Sequence, residues 1–557
     1  MKDRIKRRID AAMGQIPCDL VLRNARYLDV FNLQWTKGDI AWIDGVIVGV
    51  EGGLKAARTI DLKGRELVPG FVDAHVHIES SLMTTSNFEK AVLPRGTTTA
   101  ICDPHELANV IGVGGINYFL DAAEVLSMRL KVMLSSCVPA TTFETNGAGE
   151  IHVGQLVPLM AREHAIGLAE MMNVPGVLAG EDSVLDKLVG FERAPIDGHS
   201  PLLSGQALSA YACTGISTCH EVSRPDEALE KIRKGMAVWI REGSVAKNLA
   251  TLAPLLNAAN SVSMGFCTDD RNPLDIAEEG HIDYLIRGAI ARGVPPEVAY
   301  RAASLTPARH YRLGRVGAIA PGFDADLVVL SDATQCEVSR VFRMGVPVEE
   351  LESTRARFVD TGNTIRAHTP LASELTGPAG RVHVIRVESG SLITGHEILN
   401  HDSPGVARLS VLERYGKRTP PANGYVIGFG ENFRGAIASS VGHDSHNLIV
   451  VGKNPDEMRA ALAALIDCGG GFCVVGTGGA VLAKLPLPIG GLMTSADPDQ
   501  VRNALVELRQ ASRSIGCELP EPFLQLAFLS LPVIPKLKLT DRGLVDVEKF
   551  RLISVSA

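Results

Sequence analysis

Two histidines one residue apart stand in Pro69-Gly-Phe-Val-Asp73-Ala-His75-Val-His77. In an extended segment successive side chains alternate faces, so Asp73, His75 and His77 share one, and the two imidazoles can converge on a single metal ion. Four further apolar runs end in residues of metal-ligand type: Gly167-Leu-Ala-Glu170, Asp197-Gly-His199, Ser217-Thr-Cys-His220-Glu221 and Gly265-Phe-Cys-Thr-Asp269-Asp270. A carboxylate closing an apolar run is seldom left unpaired. His75, His77, Glu170, His199, His220 and Asp269 therefore point to a divalent-metal centre rather than to scattered satisfied polar groups. Imidazole and carboxylate donors in that mixture suit Mn, Fe or Zn.

The elements that must carry these residues have a rhythm of their own. From residue 70 onward, apolar runs at 71–76, 98–102, 131–135, 165–169, 194–197, 215–219, 236–240 and 263–267 alternate with helical stretches. Runs spaced about 20–35 residues apart are what repeated βα units produce, and eight of them predict a closed α/β barrel. Catalytic groups of such barrels sit at the carboxyl ends of the strands, where the ligand-type residues fall. Before it, short strands broken by Gly45, Gly52 and Gly53 predict a small β-unit. Strand character returns at 317–330 and 341–347 and could complete that unit. The stretch 355–378 is polar and turn-rich, and beyond it lies a separate tract of strands and helices. The expected division is a small split β-sandwich domain from 1–69 and 316–370, a (β/α)8 barrel over 70–315, and an additional α+β domain over 371–557.

Composition narrows the classes further. A net charge of −8 without long single-sign runs argues against a nucleic-acid or anionic-membrane binder. No stretch approaches the 18 or so apolar residues of a spanning helix, and Met1 to Ile16 shows no secretory apolar core, so a cytoplasmic location is expected. Ten scattered cysteines, some within apolar runs, read as buried thiols rather than a disulfide frame. Other chemistries fail on spacing. In His396-Glu-Ile-Leu-Asn-His401 the second histidine falls one residue late for a zinc-protease helix, and Gly476-Thr-Gly-Gly-Ala-Val481 lacks the third glycine of a dinucleotide fold. Neither Cys213/Cys219 nor Cys468/Cys473 has the spacing of a cytidine-deaminase zinc site.

The order His-x-His, acid, His, His, Asp on a barrel flanked by a split β-unit resembles the amidohydrolase superfamily over about 19–351. Within it, Pro69 to Ser81, Cys102-Asp-Pro-His-Glu106, Gly167-Leu-Ala-Glu-Met-Met-Asn173, Asp197-Gly-His-Ser-Pro201 and Cys267-Thr-Asp-Asp270 resemble the bacterial adenine deaminases. The tract beyond 370, with Val441-Gly-His-Asp-Ser-His-Asn447, resembles their additional C-terminal domain. Many two-metal relatives place a carbamylated lysine where this chain has Glu170, whose two oxygens can bridge two cations without modification. Single-metal adenosine-type deaminases place a glutamate three residues after the fifth-strand histidine, a position filled here by Leu202.

The resemblance implies hydrolytic deamination of a small purine, adenine, to hypoxanthine and ammonia. Two divalent ions on His75, His77, Glu170, His199, His220 and Asp269 would bring a bound water's pKa from 15.7 towards about 7. The hydroxide would attack C6 while Asp269 takes its proton and an acid protonates the ring. Glu221, beside His220, is the expected ring-proton donor, with orientation of a ligand as the alternative. His105 and Glu106 at the second strand's end could contact substrate. So could His443 and His446, in a loop expected to close the barrel mouth. Met83, Met171 and Met172 are expected to pack. A cyclic-amide hydrolase using the same metals is the runner-up, and a silent scaffold would have lost ligands that are all present here. A homodimer or larger assembly is expected from the resemblance and the chain's size.

Overall fold

The computed structural model describes residues 1–352 and 361–557, so the first residues of the turn-rich stretch, 355–360, lie outside the described residues. Eight parallel strands lie within residues 71–267: Phe71–Val76, Thr97–Cys102, Arg129–Leu134, Ala165–Met171, Ile196–Gly198, Thr218–Cys219, Ala237–Arg241 and Met264–Cys267. The first five pair in chain order into one sheet and the last three into another. Most residues of these strands are buried on both faces, which is why they read as continuous apolar runs rather than alternating ones. The two sheets meet at both ends. The Ser217 amide donates to the Ile196 carbonyl at 3.0 Å, and the Asp269 amide donates to the His75 carbonyl at 3.0 Å.

A mixed eight-stranded sheet combines strands from both sides of this tract. Leu327–Asp332 pairs antiparallel with Glu66–Pro69, which runs parallel to Cys18–Asp29. A buried charge cluster clamps this sheet to the parallel one. Asp326 accepts from Arg129, on the third parallel strand, at 2.7 Å and from Arg343 at 2.8 Å.

Beyond residue 380 a second eight-stranded sheet runs in the order Gly395–Asn400, Arg381–Arg386, Ala422–Ile427, Ala407–Leu412, Leu448–Gly452, Ala436–Ser439, Gly471–Val475, Val481–Pro486. The helix Pro455–Asp467, capped by Asn454 on the Asp456 amide, covers one of its faces with Met458, Leu462 and Leu465. This region is seated on the parallel strands by specific bonds. Asn447 donates to the Thr145 carbonyl at 2.8 Å, Asn87 to the Ala496 carbonyl at 2.7 Å, and the Thr494 amide to the Leu82 carbonyl at 2.9 Å. The loop 442–447 is thereby held over the carboxyl ends of the parallel strands. Cys102 and Cys267 are buried free thiols, and no helix among the described residues is long and apolar enough to cross a membrane.

Candidate active site

The first parallel strand sends His75 and His77 to its carboxyl end, where their Nε2 atoms lie 3.0 Å apart. His77 Nδ1 lies 2.9 Å from the Asp103 carbonyl, which places a proton on Nδ1 and turns Nε2 towards Glu170 and Asp269. Asp269 has φ of +55°, a left-handed conformation that aspartate tolerates better than most residues. The turn there brings its Oδ1 to 3.1 Å from His77 Nε2 and 3.7 Å from His75 Nε2.

Glu170 lies between two groups of donors. Its Oε1 is 3.3 Å from His77 Nε2 and 3.6 Å from His75 Nε2, while its Oε2 is 2.7 Å from His199 Nδ1 and 3.3 Å from His220 Nε2. All six residues are at most 4 % exposed. Imidazole nitrogens and carboxylate oxygens converging at this range are the donor types that a divalent cation takes, so the donor set fits divalent metal. The far nitrogens, His199 Nε2 and His220 Nδ1, are buried without a partner.

The charges divide the imidazoles: against burial, Asp269 and Glu170 hold His77 well above its ordinary pKa and Glu170 pushes His220 up to about 9, whereas His75 moves the other way. Burial drives the His75 imidazole well below its ordinary pKa, helped by His220 and His77, and so preserves its lone pair. Burial would raise Glu170 and Asp269, but His220 and His199 hold the first well below the usual carboxylate range. Arg241 and His77 do the same for the second.

Arg241 is the residue the sequence reading missed. It ends the seventh parallel strand, where the sequence reading placed no metal ligand. It is 5 % exposed, donates to Asp269 Oδ2 at 2.7 Å, and grips Glu221 with both terminal nitrogens. Burial opposes ionisation of Glu221, yet Arg241 keeps its pKa below the ordinary value. An ionised, doubly engaged carboxylate is poorly suited to giving a proton, which sets Glu221 against the donor role expected from its place beside His220.

His77, Glu170, His199, His220, Glu221 and Asp269 surround a small cavity of about 20 Å³ whose far wall comes from the C-terminal region: His443, Asp444 and Phe528. His443 stacks on Phe528 with ring centroids 4.4 Å apart. His105 lines the cavity too, with Nδ1 2.9 Å from Asp103 and Nε2 3.7 Å from Asp444. Glu106 and His446 are close by but do not line it. Glu106 Oε1 is 3.5 Å from His443 Nδ1, and His446 Nε2 is 4.0 Å from Glu106 Oε2. Asp270 faces the cavity in contact with Ser80, and burial with the neighbouring Asp269 pushes it up to about 6. Asp73 stays below the cluster and accepts from the Thr268 amide at 3.1 Å. Met83 and Met171 are core residues, whereas Met172 lines the cavity.

Comparison with known proteins gives the family. The amidohydrolase family model matches residues 67–348 and the adenine deaminase C-terminal domain matches residues 386–551. An adenine deaminase of Methylobacterium nodulans is 51% identical across 99% of this chain and 100% of its own length. One of Cereibacter sphaeroides is 49% identical over 98% of each chain, and one of Gluconobacter oxydans 48% identical over 99% of this chain and all of its own. With both family models matched and relatives at this identity along nearly its whole length, the chain belongs to the adenine deaminase family of the amidohydrolases.

Proposed function

We propose that this chain deaminates adenine hydrolytically to hypoxanthine and ammonia. The observation that carries the reading is Glu170, whose two oxygens each face a separate histidine group in a chain aligned from end to end with adenine deaminases. Two cations, Mn, Fe or Zn, would be held by His75, His77 and Asp269 on one side, by His199 and His220 on the other, and by Glu170 between them. Divalent ions there supply a hydroxide nucleophile at neutral pH.

The chain's own groups manage protons and orientation. Asp269 accepts the proton given up as water adds at C6, because Arg241 occupies its Oδ2 and turns Oδ1 towards the cavity. Asp270, on the wall near His443, gives a proton to the ring. Its position at about 6 leaves it protonated part of the time near neutral pH and able to exchange. Glu221 holds Arg241 in place and stays ionised. His105 and His443 close the purine side with Glu106 and His446 packed behind them, His443 and Phe528 offering a flat stack at the cavity's edge, and closure excludes water from the developing charge.

The same reading closes the eight strands into one barrel, supported by the backbone bonds at both junctions. It divides the chain into 1–69 with 316–370, 70–315, and 371–557, supported by the sheet that joins strands from either side of the parallel tract. Free cysteines suit a reducing, cytoplasmic setting, and the chain's size suits a homodimer or larger assembly. The test is ammonia release from adenine, adenosine and guanine by the metal-loaded chain. Adenine should be the substrate, and no ammonia from adenine would overturn the reading.

A further inference from the structure

A second cavity, of about 430 Å³, opens beside the catalytic one, between the loop after the third parallel strand, the helix Asp182–Gly190 and the C-terminal tail. Two buried groups of opposite chemistry line it. Lys187 is 8 % exposed, and its ammonium donates to the Ser136 carbonyl at 2.7 Å and pairs with no carboxylate among the described residues. Glu144 is 3 % exposed. Its Oε1 accepts from the Thr141 amide at 3.3 Å, while its Oε2 is buried without a well-aligned hydrogen bond, the Ser445 hydroxyl being the neighbouring polar group.

A buried ammonium with spare donors and a buried carboxyl with an oxygen lacking a well-aligned hydrogen bond are costly unless something in the cavity meets them. The remaining lining includes apolar Pro139, Met171 and Val184, with the Phe550 ring also on the wall. At the rim Lys417 and Arg542 are balanced by Glu150 and Glu181, so the mouth favours neither anions nor cations. Burial, with Asp444 and Asp541 nearby, pushes the Glu144 carboxyl up to about 8, so near neutral pH it also carries a hydrogen to donate.

We propose that this cavity is a second small-molecule site whose ligand is a neutral, flat heterocycle, presenting a carbonyl oxygen to Lys187 and an adjoining ring N–H and ring N edge to Glu144. That is the chemistry of an oxopurine, the class of the product, and this choice of ligand rests on the deaminase reading. Occupancy would reach the catalytic cavity through two contacts. Ser136, whose carbonyl anchors Lys187, donates its hydroxyl to the Glu170 carbonyl at 2.6 Å, and Glu144 faces the charge of Asp444, a catalytic-cavity wall residue.

The test is calorimetric titration of the metal-loaded chain with hypoxanthine, run on wild type, Lys187→Met, Glu144→Gln and the charge-conserving Lys187→Arg. Two hypoxanthines per chain are expected in wild type. Lys187→Met and Glu144→Gln should weaken one of them about tenfold or more, as when a buried hydrogen-bond partner is lost. Lys187→Arg should retain it, and initial adenine turnover should stay within about twofold of wild type in all three. Hypoxanthine binding of the same stoichiometry and affinity in wild type, Lys187→Met and Glu144→Gln would overturn the proposal. Failure of the deaminase reading shows separately, as absence of ammonia, because the difference in stoichiometry between wild type and variants does not depend on turnover.

Discussion

Replacing Arg241 by Met would remove one guanidinium from between two buried carboxylates. Arg241 makes three hydrogen bonds to Glu221 and Asp269, all three residues being at most 8 % exposed. Its loss strands Glu221 with no fork to hold it and frees Asp269 Oδ2 to rotate. Breaking a buried pair from one side costs about 3–5 kcal/mol, so the variant should unfold at clearly lower denaturant. Asp269 then loses its aim at the cavity, and a misplacement of order 1 Å in a catalytic group costs about a hundredfold in turnover. The pH profile adds a sign. Burial by itself would raise the Asp269 carboxyl, and Arg241 is the foremost group opposing that. Without it the carboxyl titrates higher, so the acid limb of kcat/KM for ammonia release should move to higher pH. Arg241→Lys, which keeps the charge but not the planar fork, should fall between wild type and Met on all three measures. An Arg241→Met chain that unfolds with wild type and keeps the same acid limb would refute the reasoning.

Asp269→Asn should lower kcat by roughly a thousandfold and release metal, whereas Asp270→Asn should lose about a hundredfold at unchanged metal content, read by elemental analysis beside the ammonia assay. Should the metal be lost on substituting Asp270 instead, the ligand at the end of the eighth strand has been misassigned by one residue. His443→Ala should lose adenine turnover at unchanged metal content. His446→Ala, lying behind the wall, should lose less, so fully active variants of both would return the loop 442–447 to a purely structural role. Asp326 carries a stability prediction. Burial would raise its carboxyl, but Arg343 and Arg129 bring it down to about 2. A lowered folded pKa gives stability that is present above the unfolded value and is lost as pH falls through the folded one, here between about pH 4 and pH 2, and amounting to roughly 2 kcal/mol. Denaturant unfolding at pH 6 and pH 3 should show Asp326→Asn losing less stability than wild type over that interval.

The eight parallel strands were legible in the sequence because strands buried on both faces must be apolar throughout, and the polar residue ending each run marks where backbone leaves the core. That is how Glu170, His199, His220 and Asp269 could be read as convergent before any contact was known. Arg241 was not legible in the same way. A single cation at the end of Ala237–Arg241 says nothing about its partners, and its role appears only when the sixth and eighth strands bring Glu221 and Asp269 against it. Glu221 illustrates the same limit from the other side, since neighbouring His220 in sequence suggested an acid while the cross-strand arginine keeps it ionised. The loop 442–447 stood out by composition, but its seat over the cavity depends on long-range bonds such as Asn447 to Thr145, which no local pattern encodes.

The central claim, that Glu170 joins two cations which together drive adenine deamination, is tested most directly by counting metal in purified wild type and Glu170→Gln while measuring ammonia release from adenine. The account predicts about two divalent ions per chain in wild type, a fall towards about one in the variant, and loss of deamination. A Glu170→Gln chain that keeps both ions and full turnover would contradict it.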